Sequence, residues 1–349
     1  DGPSFVTQCP IAPNHTYTYQ LALGNQAGTF WYHSHLSTQY VDGIRGALVI
    51  YDPHDAQKHL YDVDNDDTVI TLSDWYHTPA LISTSTLSPV PDSGLINSAG
   101  RFSGGPAVQR TRINVFKNLR YRFRIVSLSA QGAFTFQIDN HTLTIIEDDG
   151  VPTVPYTVDA IQILAAQRYS VVVTANKPIA NYCVLFFSSP RYMLIENMQG
   201  SALLRRLGVV PLAKITPTHG HSIVNGTDTY APLTDPTPPG GSGPADVTFN
   251  FTFNPDPTSI NASLINGTQY QPPTVPTLLK ILSGASTDAD FPLHDQTLVL
   301  PFNSTIEVNF IGGAGHPFHL HGHTFSVIQS AAGGPPNFIN PPKRDVVSS

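Results

Sequence analysis

Four imidazoles stand within eight residues at His316-Pro317-Phe318-His319-Leu320-His321-Gly322-His323, and two more lie at His33-Ser34-His35. No Asp, Glu or Lys is interleaved with either group. Neutral imidazole binds Zn, Cu, Fe and Ni, so these residues point to a metal site without naming the ion. Alternate residues of an extended chain share a face, which sends His319 and His321 one way and Leu320 into the opposite layer. Pro317 interrupts pairing after His316, so that ring is free to serve a second centre. A lone histidine on an apolar strand is ordinarily a hydrogen-bonded core residue, a reading that two separate His-x-His pairs make hard to sustain. A third pair, His219-Gly220-His221, has no flanking strand and is read as surface.

The elements that must hold these rings are strands. Thr29-Phe30-Trp31-Tyr32 is β-branched and aromatic and leads into His33, and Gly46 to Tyr51 follows as a buried strand closed by Asp52-Pro53. The same order returns late, with His319 and His321 followed by Thr324 to Ile328, which hints at two related units each donating a pair. Further strands are expected at Tyr17–Leu23, Thr68–Trp75, Thr111–Phe116, Tyr121–Ser127, Phe134–Ile138, Thr142–Glu147, Tyr169–Thr174, Asp246–Phe253, Thr277–Leu282 and Ser304–Phe310. Arg120, Arg122 and Arg124 alternate with Tyr121, Phe123 and Ile125, the pattern of a half-exposed strand. Helical period is almost absent, so the class is all-β, built from sandwiches or Greek-key barrels.

A chain of 349 residues is too long for one core, and Thr216 to Pro244, rich in Pro, Gly, Ser and Thr, reads as a junction. Units are expected at 1–55, 56–222 and 223–349. With 31 Pro, 26 Gly and only 12% charged residues, the composition favours short strands and turns. A net charge of -7 argues against a nucleic-acid groove or an anionic membrane surface, and no apolar run is long enough to span a bilayer. Asn-x-Ser/Thr acceptors at Asn14, Asn140, Asn225, Asn250, Asn261, Asn266 and Asn303 suggest a secreted glycoprotein. The run Asp62-Val63-Asp64-Asn65-Asp66-Asp67 lacks the Gly and distal Glu of a calcium loop and reads as a solvated connector. Cys9 and Cys183 are the only cysteines; they could pair, or Cys183 could be a buried free thiol. Both ends cut across recognisable patterns, so segments are expected beyond each.

The two histidine motifs, together with Asp1 to Ile11, Ala165-Ala166-Gln167-Arg168-Tyr169-Ser170, Pro272-Pro273-Thr274-Val275-Pro276 and Arg344-Asp345-Val346-Val347-Ser348, resemble the fungal laccases. These are blue multicopper oxidases of three cupredoxin domains. The resemblance runs nearly end to end and weakens between Cys183 and about Thr229. It implies three cupredoxin-like Greek-key domains, the first and last incomplete. It also implies a secreted, monomeric oxidase that couples one-electron oxidation of phenols or aromatic amines to reduction of dioxygen to water. By the same resemblance His316 would ligate a type 1 copper, His319 a type 2 copper, and His33, His35 and His321 a type 3 pair. Asp1 would supply protons near the cluster, and His323 is ordinarily not a ligand.

Three departures accompany it. The family's His-Trp-His-Gly and His-Cys-His segments are not in this sequence, and a blue copper site requires a Cys thiolate. Cys9 matches a cysteine whose partner lies beyond Ser349, and the family's other disulfide is replaced on both sides, at Val41 and Ala130. Losing both halves leaves no orphan thiol and costs less than losing one. The carboxylate that often meets the substrate is Gln131 here, which can accept a hydrogen bond but is a poor proton acceptor. Two other classes remain open: a zinc hydrolase, which normally needs an Asp or Glu base beside the metal, and a copper-storing protein without catalysis.

Overall fold

The computed structural model describes residues 2–83, 90–131, 133–188, 199–206, 223–224, 230–255, 263–312, 315–330 and 333–348. The chain opens with β1 (Gly28–His33) and β2 (Arg45–Ile50), an antiparallel pair that sets His33 opposite Arg45. The middle of the chain builds two six-stranded sheets. One contains β3 (Val69–Trp75), β4 (Ser93–Ile96), β6 (Arg120–Ser127), β8 (Leu143–Asp148), β9 (Val151–Val158) and β11 (Arg168–Thr174), in the order β4-β3-β6-β11-β8-β9. The other contains β5 (Arg112–Val115), β7 (Phe134–Ile138), β10 (Ala160–Ile163), β12 (Asn181–Ser188), β13 (Gln199–Arg206) and β14 (Ile223–Val224), ordered β14-β10-β7-β12-β13-β5.

Alternation explains why these two sheets face each other. Tyr121, Phe123 and Ile125 of β6 point inward with Val171 and Val173 of β11, against Phe134, Phe136 and Ile161 from the other sheet. Among the described residues this one cluster, drawn from Ile70 to Tyr230, is the main core. The opposite face of β6 is not half-exposed, which corrects the sequence reading. Arg122 and Arg124 are buried because carboxylates meet them: Asp55 and Glu147 lie 2.8 and 2.6 Å from Arg122, and Asp64 lies 2.7 Å from Arg124. Asp64 therefore belongs to the packing and not to a solvated connector, although Asp66 and Asp67 are exposed.

β1 docks on this charged outer face. Thr29 is fully buried: its N–H donates to Glu147 Oε1 at 3.1 Å and its hydroxyl accepts from Arg124 at 2.8 Å. Gly28 has a φ of +126°, and a Cβ there would come within 2.7 Å of Gly150 Cα. Only glycine allows that approach.

The last part of the chain pairs β15 (Val247–Pro255) with β16 (Ser263–Ile265) and, in parallel, with β17 (Ile306–Gly312). Then β18 (Pro317–His319) pairs with β21 (Val346–Ser348), and β19 (Phe325–Ser326) with β20 (Lys343–Arg344). Among the described residues there are also two short α-helices, α1 (Ala80–Ser83) and α2 (Thr277–Leu282), and four single-turn 3-10 helices.

Helix α2 corrects an expected strand. A short apolar run carries no decisive period, and here Pro276 opens a turn whose first N–H groups, Thr277 and Leu278, donate to the Phe5 and Val6 carbonyls at 3.2 and 2.8 Å. Tyr17 to Leu23 is not a strand: it is exposed throughout and pairs with no strand among the described residues. The β2 strand is half-buried and not a core strand. Both cysteines are free, Cys183 buried and Cys9 exposed. His219 and His221 lie outside the described residues.

Candidate metal centre

The β1 strand delivers His33 to one end of the hairpin, where Trp31 stacks on it at 4.0 Å between ring centroids and Tyr40 lies 5.4 Å away. His33 Nδ1 is 2.9 Å from the Ser34 carbonyl, which can only accept. The proton is therefore on Nδ1, and Nε2 keeps its lone pair. Far along the chain, Phe318 is clamped between Phe253 and Phe310, with centroids at 4.3 and 4.6 Å, and this turns its neighbour His319 to the other face of β18. His319 Nδ1 is 2.9 Å from the Asp345 carbonyl, so the same tautomer argument applies.

The two motifs meet. His35 Nε2 lies 3.1 Å from His321 Nε2, across a sequence separation of 286 residues. Ring centroids run His33 to His35 at 5.0 Å, His35 to His321 at 5.0 Å and His321 to His319 at 4.7 Å. Two imidazole nitrogens at 3.1 Å must share a proton or an ion. Burial first, and the neighbouring imidazoles second, push His33, His35 and His321 below their ordinary value, His321 to about 4. His35 and His321 are both exposed to solvent, yet the Nε2 of each faces the other. Neutral, ligand-ready imidazoles result.

Asp345 anchors this group. Burial works against its charged form, but Arg168 and His319 outweigh that and hold its carboxyl near about 2. Arg168 grips both carboxylate oxygens at 2.6 and 2.7 Å. In return Asp345 raises His319, against the pull of burial. The motifs that hold Arg168 and Asp345 carry no local sign of this pairing. Nothing in a linear pattern shows that an Arg in one unit pairs with an Asp in another.

The remaining expected residues scatter. His316 precedes β18, with its ring 6.3 Å from Phe318, and is not among the rings that meet. His323 is exposed, and Leu320 is 46% exposed instead of packing into a layer. Gln131 is half-buried on a loop fixed by buried Asp74, which accepts from the Ala130 and Gln131 N–H groups at 3.0 and 2.7 Å. Asp1 lies outside the described residues.

Profiles of the multicopper oxidase family match residues 1–55, 66–208 and 270–348. Laccase-4 of Thanatephorus cucumeris is 48% identical, over 99% of this chain and 68% of its own length. The laccase of Trametes maxima is 46% identical, over 100% and 70%. The chain belongs to the multicopper oxidases. Its relatives place it with the fungal laccases, and it is a laccase-type oxidoreductase of a copper-dependent family. Among solved structures, Fet3p, described as a multicopper oxidase that functions in iron import, superposes with a TM-score of 0.82 at 25% identity, over 99% of this chain and 69% of that one. The laccase of Botrytis aclada gives 0.80 at 28%, over 99% and 67%. The fold is thus all-β and cupredoxin-like, and this laccase chain spans about two thirds of the length of these relatives.

The donor chemistry fits copper where the four rings meet. Nitrogens each about 2.0–2.1 Å from one ion can lie 3.1 Å apart, as those of His35 and His321 do. No group of three or more His, Cys, Asp or Glu among the described residues is gathered to hold one ion, so the described part of this laccase provides ligand pairs and not full shells. A blue-copper set is not assembled among the described residues: Cys183 is buried beside Asp139 in the middle unit, Cys9 is exposed, and neither is gathered with histidines to hold an ion.

Proposed function

We propose that this chain works as a laccase in which His33, His35, His319 and His321 hold part of a polynuclear copper centre. His35 and His321 would share one ion of the type 3 pair, His33 would bind its neighbour, and His319 the type 2 ion. The approach of His35 to His321 carries the reading. Bound copper supplies the one-electron chemistry that links oxidation of a phenol or aromatic amine to the four-electron reduction of dioxygen.

The protein's part is positional. Ser34 and Asp345 take the Nδ1 protons of His33 and His319, which aims both Nε2 lone pairs inward. Asp345 stays ionised and is tied by Arg168, so it is a poor proton carrier. That role falls to Asp1, because each dioxygen consumes four protons in a closed pocket. We assign substrate contact to Gln131 and type 1 copper ligation to His316, the latter by the family motif alone. The Pro-rich stretch around 216–244 divides units 1–55, 56–222 and 223–349, with Ile223 and Val224 paired to β10 and Ala231 and Leu233 bonded to β9 of the middle unit. We propose secretion as a monomer without nucleic-acid or membrane partners; the net charge of -7 speaks against a nucleic-acid groove, and the acceptor sites support a secreted glycoprotein. Asn14, Asn140, Asn250, Asn266 and Asn303 are all exposed, and no helix among the described residues is long and apolar enough to cross a membrane.

The test is metal analysis of His35→Ala and His321→Ala beside the parent protein. Each variant is expected to lose copper and oxygen consumption together. Full copper in both would refute the site.

A further inference from the structure

Arg168 is 1% exposed and spends its guanidinium on three separate stretches of chain. Nε donates to the Thr29 carbonyl at 2.9 Å, one NH group donates to the Ala166 carbonyl at 3.1 Å, and the fork closes on Asp345. Thr29 lies on β1, four residues before His33. Asp345 carries the carbonyl that accepts from His319 Nδ1 and from the Leu320 N–H at 3.0 Å. Each histidine pair thus has its own support, and both supports end on the same planar group.

Resting on the copper reading above, we infer that Arg168 is a positioning residue that sets the distance between the two His-x-His pairs. It touches no ligand ring. A planar fork with fixed donor directions can do this where a point charge cannot: Lys at this place lacks the second arm needed to hold the Thr29 carbonyl and both Asp345 oxygens together. The other contacts anchor each support separately: Thr29 is held by Arg124 and Glu147, and the chain on either side of Asp345 is held by Asp149, which accepts from Arg344 and from the Val346 N–H at 3.0 and 3.2 Å. Arg168 is the group that bonds Thr29 and Asp345 at once, so without the fork the spacing of the two pairs rests on these separate anchors.

The experiment follows copper release from the copper-loaded full chain into excess chelator, for the parent, Arg168→Lys, Asp345→Asn and Ile161→Val. The last lies in the core of the middle unit, away from the histidines, and reports what lost stability alone does. Loss of a support behind metal ligands costs about 10–100-fold in metal affinity. Release about tenfold faster is therefore expected from Arg168→Lys and Asp345→Asn, with Ile161→Val at the parent rate. Parent-like release from either folded variant, or equally fast release from Ile161→Val, overturns the inference. Should Arg168→Lys not fold, Asp345→Asn decides alone. If His35→Ala and His321→Ala also bind copper as the parent does, the copper reading has failed and this inference with it. If those two lose copper while Arg168→Lys keeps it, only the positioning role has failed.

Discussion

Arg124 is 2% exposed, and its guanidinium is met bidentately by Asp64 at 2.8 and 2.7 Å while Thr29 Oγ1 takes another donor. Removing one partner from such a pair leaves the other as a buried, uncompensated charge. Arg124→Met is expected to lower unfolding free energy by about 3–5 kcal/mol, read from a denaturant titration, because Asp64 is stranded. At the substrate the change runs the other way. Gln131→Asp adds a proton acceptor at the place we assign to phenol contact, and kcat/KM for a phenol should rise ~10-fold where the new carboxylate is ionised. A substrate that loses no proton on oxidation gives the control. Unchanged phenol kinetics across pH would remove Gln131 from the substrate contact.

Among the elements, the strands of the middle unit were legible because alternating patterns such as Tyr121-Phe123-Ile125 fill one core. The other face of β6 was not: alternating arginines read as solvated when their carboxylate partners are remote, Asp55, Asp62 and Asp64 far upstream and Glu147 two strands downstream, and alternation says nothing of what covers a polar face. For α2 the obstacle was length, since six residues hold too little period, and its N-terminal partners come from the far end of the chain. One turn repeats in a way that reading for histidines passed over. Ile96-Asn97 and Ile265-Asn266 each begin a tight turn with positive φ at Asn, whose side-chain carbonyl accepts from Thr71 N and Thr252 N at 2.7 and 2.8 Å. Gly28 offers the sharpest test at this scale. Gly28→Ala forces a Cβ onto Gly150 in a left-handed backbone and should cost about 1–3 kcal/mol, with β1 amides exchanging faster than those of β6. Equal protection in the two strands would show that β1 does not depend on this approach.

Over the whole molecule, charge pairing also sets the response to acid. Asp62 accepts from Arg120 in three places and its carboxyl is held at about 2, below an unfolded value near ~3.9. A depressed carboxylate contributes stability that is complete above about pH 4 and disappears as pH falls through about 2. Asp62→Asn should therefore flatten the fall in melting temperature between those limits and leave the slope at neutral pH alone. An unchanged acid slope would show that the pair contributes nothing. The copper ligands were legible at this scale only as motifs. That His35 and His321 meet follows from β1 lying on the middle unit and β18 being turned by Phe318, and neither contact leaves a trace in local sequence. The docking of Thr29 carries a consequence for biosynthesis. During translation β1 leaves the ribosome before β6, β8 and β11 exist to receive it, and the continuous core forms only once they do. Until Arg168 emerges β1 has no complete surface to dock on, so chaperone binding to this part of the chain should persist to that point and then fall.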